Sequence, residues 1–127
     1  MESTTTQFEQ LWWHDALLLE LKVDRRQPGE LDEVVVLIEW PDDRKSAIRF
    51  LDCFGMIANL CFEIVAPESI LTASETEDVG PFKVQHDMWA KAGMVRPNLK
   101  LFTIETNSTA SLIHILARGW REEEISD

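Results

Sequence analysis

Three histidines and two cysteines are the side chains of this chain best suited to chemistry. His14 is followed by Asp15 and His86 by Asp87, while His114 stands alone in LIHIL. A histidine bonded to a carboxylate is the acid–base half of many hydrolytic sites, and a His/carboxylate set also binds metal. The spacing argues against both. Neighbours on an extended chain point to opposite faces, so adjacency does not make a catalytic pair. On a helix, metal-binding histidines recur as H-x-x-x-H or with a carboxylate three or four positions away. His86 has neither. Cys53 and Cys61 have no C-x-x-C or Cys/His zinc spacing. On one continuous strand they would lie about 26 Å apart, so a disulfide requires the chain to turn back, which Gly55 or Asn59 would allow. The ordinary reading is two buried thiols in a reducing compartment. The sequence has no G-x-S-x-G and no P-loop. The Asn107-Ser108-Thr109 sequon reads as a polar hairpin turn. No catalytic, cofactor-binding or metal-binding residue is therefore assigned. The competing reading is a small-ligand pocket or small enzyme using His14, Asp15 and His114.

The elements that would position these groups follow from apolar period. Residues 8–13 suit one or two helical turns. In ALLLELKVD, Leu17, Leu19, Leu21 and Val23 share one parity, which predicts a strand with that face buried. RRQPGELD reads as a loop turning at Pro28-Gly29. Val34, Val36, Ile38 and Trp40 alternate with Glu33, Val35, Leu37 and Glu39, and Ile48 and Phe50 alternate with Arg49 and Leu51. Together 33–40 and 46–52 predict an antiparallel hairpin around PDDR. Apolar character continues as a strand piece through LCFEIV at 60–65. A helical turn is expected near 67–73, an exposed acidic loop over SETEDVG, and a helix from Pro81 to Gly93. Residues 98–106 and 112–117 predict a second hairpin. Residues 1–6 and 121–127 read as loose tails. The expectation is one α+β domain over 1–127, mainly an antiparallel sheet of five or six strands with two short helices packed on one face.

With 127 residues and 45% hydrophobic content, the chain is long enough to bury a core without metal or disulfides. It has no apolar run near 18 residues, and its first ten residues show no basic or apolar signal region, so a soluble cytoplasmic protein is expected. The net charge is −11. Such a surface repels nucleic-acid phosphates and anionic membranes. The acid is uneven: residues 63–80 hold Glu63, Glu68, Glu75, Glu77 and Asp78 and no Lys or Arg. An acidic face steers basic partners, or simply keeps the surface solvated.

Trp12 and Trp13 are adjacent, so a regular element cannot bury both. Either one is an exposed interface anchor or the corner wraps and buries the pair. Trp40 and Trp89 read as core. The candidate partner-binding set is Trp12, Trp13, His14, Asp15, Glu75, Glu77 and Asp78. In structural terms, a carboxylate at a strand start accepts backbone N–H bonds and an imidazole bridges to a neighbouring strand.

At WWHDALLLELKVDR, an aromatic-ended helix followed by His-Asp-Ala and an alternating strand resembles small bacterial immunity proteins found beside polymorphic and contact-dependent toxins. LDEVVVLIEWP, IRFLDCFGMIANL and LKLFTIETNSTASLIHILA resemble uncharacterised bacterial proteins with the same strand order. The resemblance spans most of residues 8–120, with His14 and Asp15 its most specific part. It implies an α+β domain without catalytic activity, and toxin neutralisation as a suggestion. Three readings follow: an acidic domain binding a basic protein such as a toxin domain, a small-ligand binder or enzyme, and a subunit pairing by sheet edges into a homodimer.

Overall fold

The strict alternation over 33–40 leads to a strand buried on one face, and the structure, a computed structural model describing residues 7–29, 31–94, 98–107 and 109–125, is built outward from it. Its strands are β1 (Leu17–Gln27), β2 (Leu31–Glu39), β3 (Lys45–Leu51), β4 (Gly55–Asn59), β5 (Ile70–Thr76), β6 (Lys100–Thr106), β7 (Leu112–Ala117) and β8 (Gly119–Ile125), with one helix, α1 (Lys83–Lys91). Short 3-10 turns cover Phe8–Gln10 and Gly80–Phe82. All strand pairs are antiparallel. One sheet has the order β1-β2-β3-β8 and the other β4-β7-β6-β5.

The antiparallel strands and the helix agree in outline with an α+β expectation, but the layering differs. Among the described residues there are eight strands rather than five or six, and one α-helix rather than two. The core lies between two sheets, not between a sheet and helices. Val34, Val36, Ile38, Ile48 and Phe50 of the first sheet meet Ile70, Phe102, Ile104, Ile113 and Ile115 of the second, all buried. Phe8 is inserted between them, its ring 5.8 Å from Phe50, 5.0 Å from Phe102 and 5.4 Å from Trp120, edge-on to each. Burying one such side chain contributes about 2–3 kcal/mol. α1 covers only a corner of the outer surface of the second sheet. There Phe82, Leu99, Leu101 and Leu116 pack with Phe54 and a half-buried Trp89, in a small satellite core. Trp40 is in the main core and Trp89 in this one.

Both predicted hairpins form. Val34 faces Phe50 and Val36 faces Ile48 in β2–β3, and Ile104 faces Ile113 in β6–β7. Several finer expectations are corrected. The inward parity of β1 is not Leu17, Leu19, Leu21 and Val23. A register shift between Leu18 and Glu20 puts Leu18 and Leu21 on the core face and leaves Leu19 exposed, while Val23, on the Leu21 face opposite Val34, is exposed because it lines the open cavity at that end of the sheet. The tail at 121–125 is β8, because its edge pairing with β3 outweighs the low strand propensity of three glutamates. Residues 67–73 are not helical, and the loop expected over 74–80 begins only after Thr76: Ile70–Thr76 is β5, paired with β6. The apolar stretch at 60–65 is not a strand but an exposed connection from β4 to β5. β1 also runs further into the predicted loop, to Gln27, before the turn at Gly29, whose φ is 84°. The expected tail over 1–6 lies outside the described residues.

The two sheets share one bent ribbon. β3 passes into β4 and β7 into β8 side by side, with Leu51 opposite Gly119 and Gly55 opposite Leu116. Between these pairs the Arg118 N–H donates to Leu51 O at 3.1 Å and the Phe54 N–H donates to Leu116 O at 2.7 Å. Three residues, 52–54, are set against two, which bends the ribbon from one sheet to the other. Gly55 is required at this bend: a Cβ there would stand 2.6 Å from Cε1 of the Phe82 ring.

The strand ends define two ends of the sandwich. Leu17 pairs with Glu39 and Glu39 with Lys45, and Leu17 also bridges to Ser69. The Asn107 N–H donates to Ser69 O at 2.7 Å. The segments 11–16, 40–44 and 60–69, with Asn107 and residues 109–111, therefore gather at one end, the Trp12 end. The β1–β2 turn, the bend at 52–54, Arg118 and α1 lie at the other, the Arg118 end.

Candidate functional site

At the Trp12 end, residues 11–16 turn sharply into β1 alongside the start of β5. Asp15 has a φ of 69°, a left-handed conformation that Asp tolerates better than most side chains. Its N–H donates to Ile70 O at 2.9 Å, and Ile70 N–H donates to Ala16 O at 2.7 Å. These bonds fix what the adjacent tryptophans do. Trp13 is buried, with Nε1 donating to Phe8 O at 2.6 Å and its ring 5.2 Å from Trp40. Trp12 points outward and is 56% exposed. His14 bridges to the neighbouring strand as a structural imidazole would, its Nδ1 lying 3.3 Å from Leu71 O. Among the described residues no backbone N–H donates to the Asp15 carboxylate. It faces His14 Nε2 at 3.8 Å, with both side chains about two-thirds exposed.

The rest of the predicted partner-binding set is not here. β5 spans seven residues, and at roughly 3.3 Å per residue its far end is about 20 Å away. Glu77 and Asp78 lie beyond that far end, where Asp78 Oδ1 accepts the Gly80 N–H at 2.9 Å. Glu75 lies near it and is engaged twice: its side chain meets Lys100 Nζ at 2.9 Å, and its N–H donates to the Glu9 carboxylate at 2.8 Å. The sequence set thus splits, with Trp12, His14 and Asp15 at one end, Glu77 and Asp78 at the other, and Trp13 inside.

The Trp12 end also gathers side chains that sequence reasoning assigned to a strand. Phe62 is 79% exposed, Ile64 49% and Val65 fully exposed. The loop that carries them is tethered: the Cys61 N–H donates to Ser111 Oγ at 3.1 Å, and the Glu68 carboxylate accepts from Thr109 and Ser111. The missed signal was a run of apolar residues without alternation, leading into Pro67.

The other histidines stand apart. His114 is on the outer face of β7, its Nδ1 3.0 Å from Thr103 Oγ1. Thr103 pairs with Ser74 on the edge strand β5, so two strand spacings, about 10 Å, separate His114 from that edge. His14 lies off the same strand, at Leu71, three residues further along. His86 is on α1 beside Trp89, and Asp87 accepts from Lys83 at 3.1 Å. Among the described residues no three His, Cys, Asp or Glu side chains are grouped to hold a metal ion.

An open cavity of about 560 Å³ lies at the Arg118 end, lined by Asp24, Asp32, Glu33, Asp52, Cys53 and Arg118 over a floor of Val34, Phe54 and Met56. Three of its carboxylates are tied up. Asp24 is pulled down to about 2 by hydrogen bonds from Arg26, with Nη2 at 2.7 Å. Asp32 is lowered by the Gly29 N–H and by Arg25 Nε at 2.7 Å. Glu33 receives Arg49 Nη1 at 3.1 Å. Arg118 stacks over the Phe54 ring at 5.2 Å. Burial pushes the Cys53 thiol up to about 12, so it is a protonated hydrophobe at neutral pH rather than a nucleophile.

No protein-family model matches the chain, and a search of curated proteins finds no match. No helix among the described residues is long and apolar enough to cross a membrane.

Proposed function

We propose that this chain is a non-enzymatic, acidic protein-binding domain that engages a basic protein, with neutralisation of a toxin domain as its sharpest form. The observation that carries this reading is Trp12. A buried network fixes the corner and holds this large aromatic 56% exposed beside Asp15. Exposed tryptophans are enriched among the anchors of protein interfaces, because they bury much area at little cost in side-chain freedom. The charge supports the partner class. A net −11 surface accelerates encounter with a cationic one, and proteins that act on nucleic acids are cationic. The cavity chemistry points the same way. Asp24 is held ionised by Arg26, Asp32 by the Gly29 N–H and Arg25, and the Cys53 thiol is held protonated by burial, so none of these three groups is poised to exchange a proton near neutral pH.

The test is purification of the tagged chain from its native cells at low ionic strength, followed by a salt step. A basic protein released stoichiometrically, and rebinding once purified, supports the proposal. Recovery of the chain alone, or of partners indifferent to salt, contradicts it.

A further inference from the structure

Resting on the partner-binding reading above, we infer that the β4–β5 loop at residues 60–66 is the principal contact element, and that its occupant is a protein surface with an apolar depression rimmed by Lys and Arg. The loop is built inside out. Its polar anchors are sequestered: Ser111 and Thr109 are buried and hold Cys61 and Glu68. Its apolar tips, Phe62, Ile64 and Val65, face solvent. Covering these tips would remove apolar surface from water, a stabilisation that the isolated fold forgoes. Exposed apolar residues clustered on a tethered loop mark an interaction site, because association is where that stabilisation is recovered.

Charge decides what covers the loop. The segments gathered at this end carry Asp15, Asp42, Asp43, Glu63 and Glu68 against Arg44, and Arg44 is already bonded to Asp42 at 2.7 Å. Two copies meeting through this end would bring ten such carboxylates together, so a second copy is a poor occupant and a cationic rim a good one. The opposite end supplies the contrast. Val84 and Met88 are also exposed there, but Asp24, Asp32, Glu33, Asp52, Glu77, Asp78 and Asp87 are met by Arg25, Arg26, Lys83, Lys91 and Arg118, so that end is the less acidic of the two.

The test places the photo-crosslinker p-benzoylphenylalanine at one position at a time in the full chain, at 62, 65, 84 or 88, in native cells. Captured protein is identified by mass spectrometry, produced pure, and titrated against the wild type and the Phe62→Ser/Val65→Ser variant. The expected result is capture of one basic protein from positions 62 and 65. Its affinity should fall at least about 100-fold in the double variant, with the thermal midpoint little changed because both side chains are already in water. Capture from 84 or 88 alone leaves partner binding standing and overturns the loop assignment. Capture of a second copy of this chain from 62 or 65 overturns the cationic occupant. Capture from none of the four overturns the loop and the partner-binding reading together.

Discussion

Trp12 and Trp13 are neighbours in the chain with opposite fates: Trp13 is 3% exposed and bonded to the backbone of Phe8, while Trp12 is 56% exposed and reaches into water. The split follows from the turn at 11–16, where hydrogen bonds to β5 fix the backbone and only one ring can enter the aromatic cluster. Trp13→Ala should therefore destabilise the fold by about 3–5 kcal/mol, the usual cost of emptying a large core site. Trp12→Ala should change stability by less than about 0.5 kcal/mol and weaken partner binding. Urea unfolding of both variants checks the first pair of values. Equal losses would mean that Trp12 is packed rather than presented.

Cys53 gives a chemical readout of the cavity. With its thiol pushed up to about 12, its thiolate fraction at pH 8 should be roughly a thousandfold below that of an ordinary cysteine. In a Cys61→Ser background, alkylation by iodoacetamide should be slower than in the urea-unfolded chain by about that factor. Reaction at the unfolded rate would place Cys53 in water.

Ala110 has a φ of 55°, where a Cβ is strained and glycine is not. Ala110→Gly should raise stability by about 0.5–1 kcal/mol, the reverse of the usual effect of adding glycine. A lowered thermal midpoint would contradict the left-handed turn between β6 and β7.

Acid should loosen the β1–β2 end. Asp24 is depressed to about 2 by Arg26, and Asp32 is lowered by Gly29 and Arg25. A carboxyl with a depressed folded value contributes stability that is fully present above its unfolded value, about pH 4, and is lost as pH falls through the folded one. Stability measured from pH 4 down to pH 2 should decline, and Asp24→Asn should flatten that decline. An unchanged slope in the variant would show that the Asp24–Arg26 pair does not carry it.

The hairpins at 33–40/46–52 and 98–106/112–117 were legible because each has one face in the core, and burial writes a two-residue period into the sequence. Three elements were hidden for physical reasons. β8 reads as a charged tail, yet Glu122, itself exposed, is paired opposite Ile48, and its carboxylate accepts from Ser46 Oγ at 2.6 Å, while Ser46 Oγ accepts from Trp40 Nε1 at 2.9 Å. β5 is a polar edge strand, and residues 8–16 pack along it. The inward parity of β1 switches between Leu18 and Leu21 at a bulge near Leu19 that no residue type announces. The candidate surface was half legible. Trp12, His14 and Asp15 are contiguous and stood out. Phe62, Ile64 and Val65 were absorbed into a strand, because apolarity in a sequence signals burial and these side chains are not buried. Glu77 and Asp78 joined the predicted set through charge alone, and the length of β5 separates them from it.

The most direct measurement of the central claim is the affinity of the purified basic partner for the wild type and for Trp12→Ala at two salt concentrations, by calorimetry. The account predicts that raising the salt weakens the wild type markedly, and that Trp12→Ala loses at least about tenfold at both concentrations, as expected for an aromatic anchor in an electrostatically steered contact. Affinity indifferent to salt and unchanged by loss of Trp12 would contradict it.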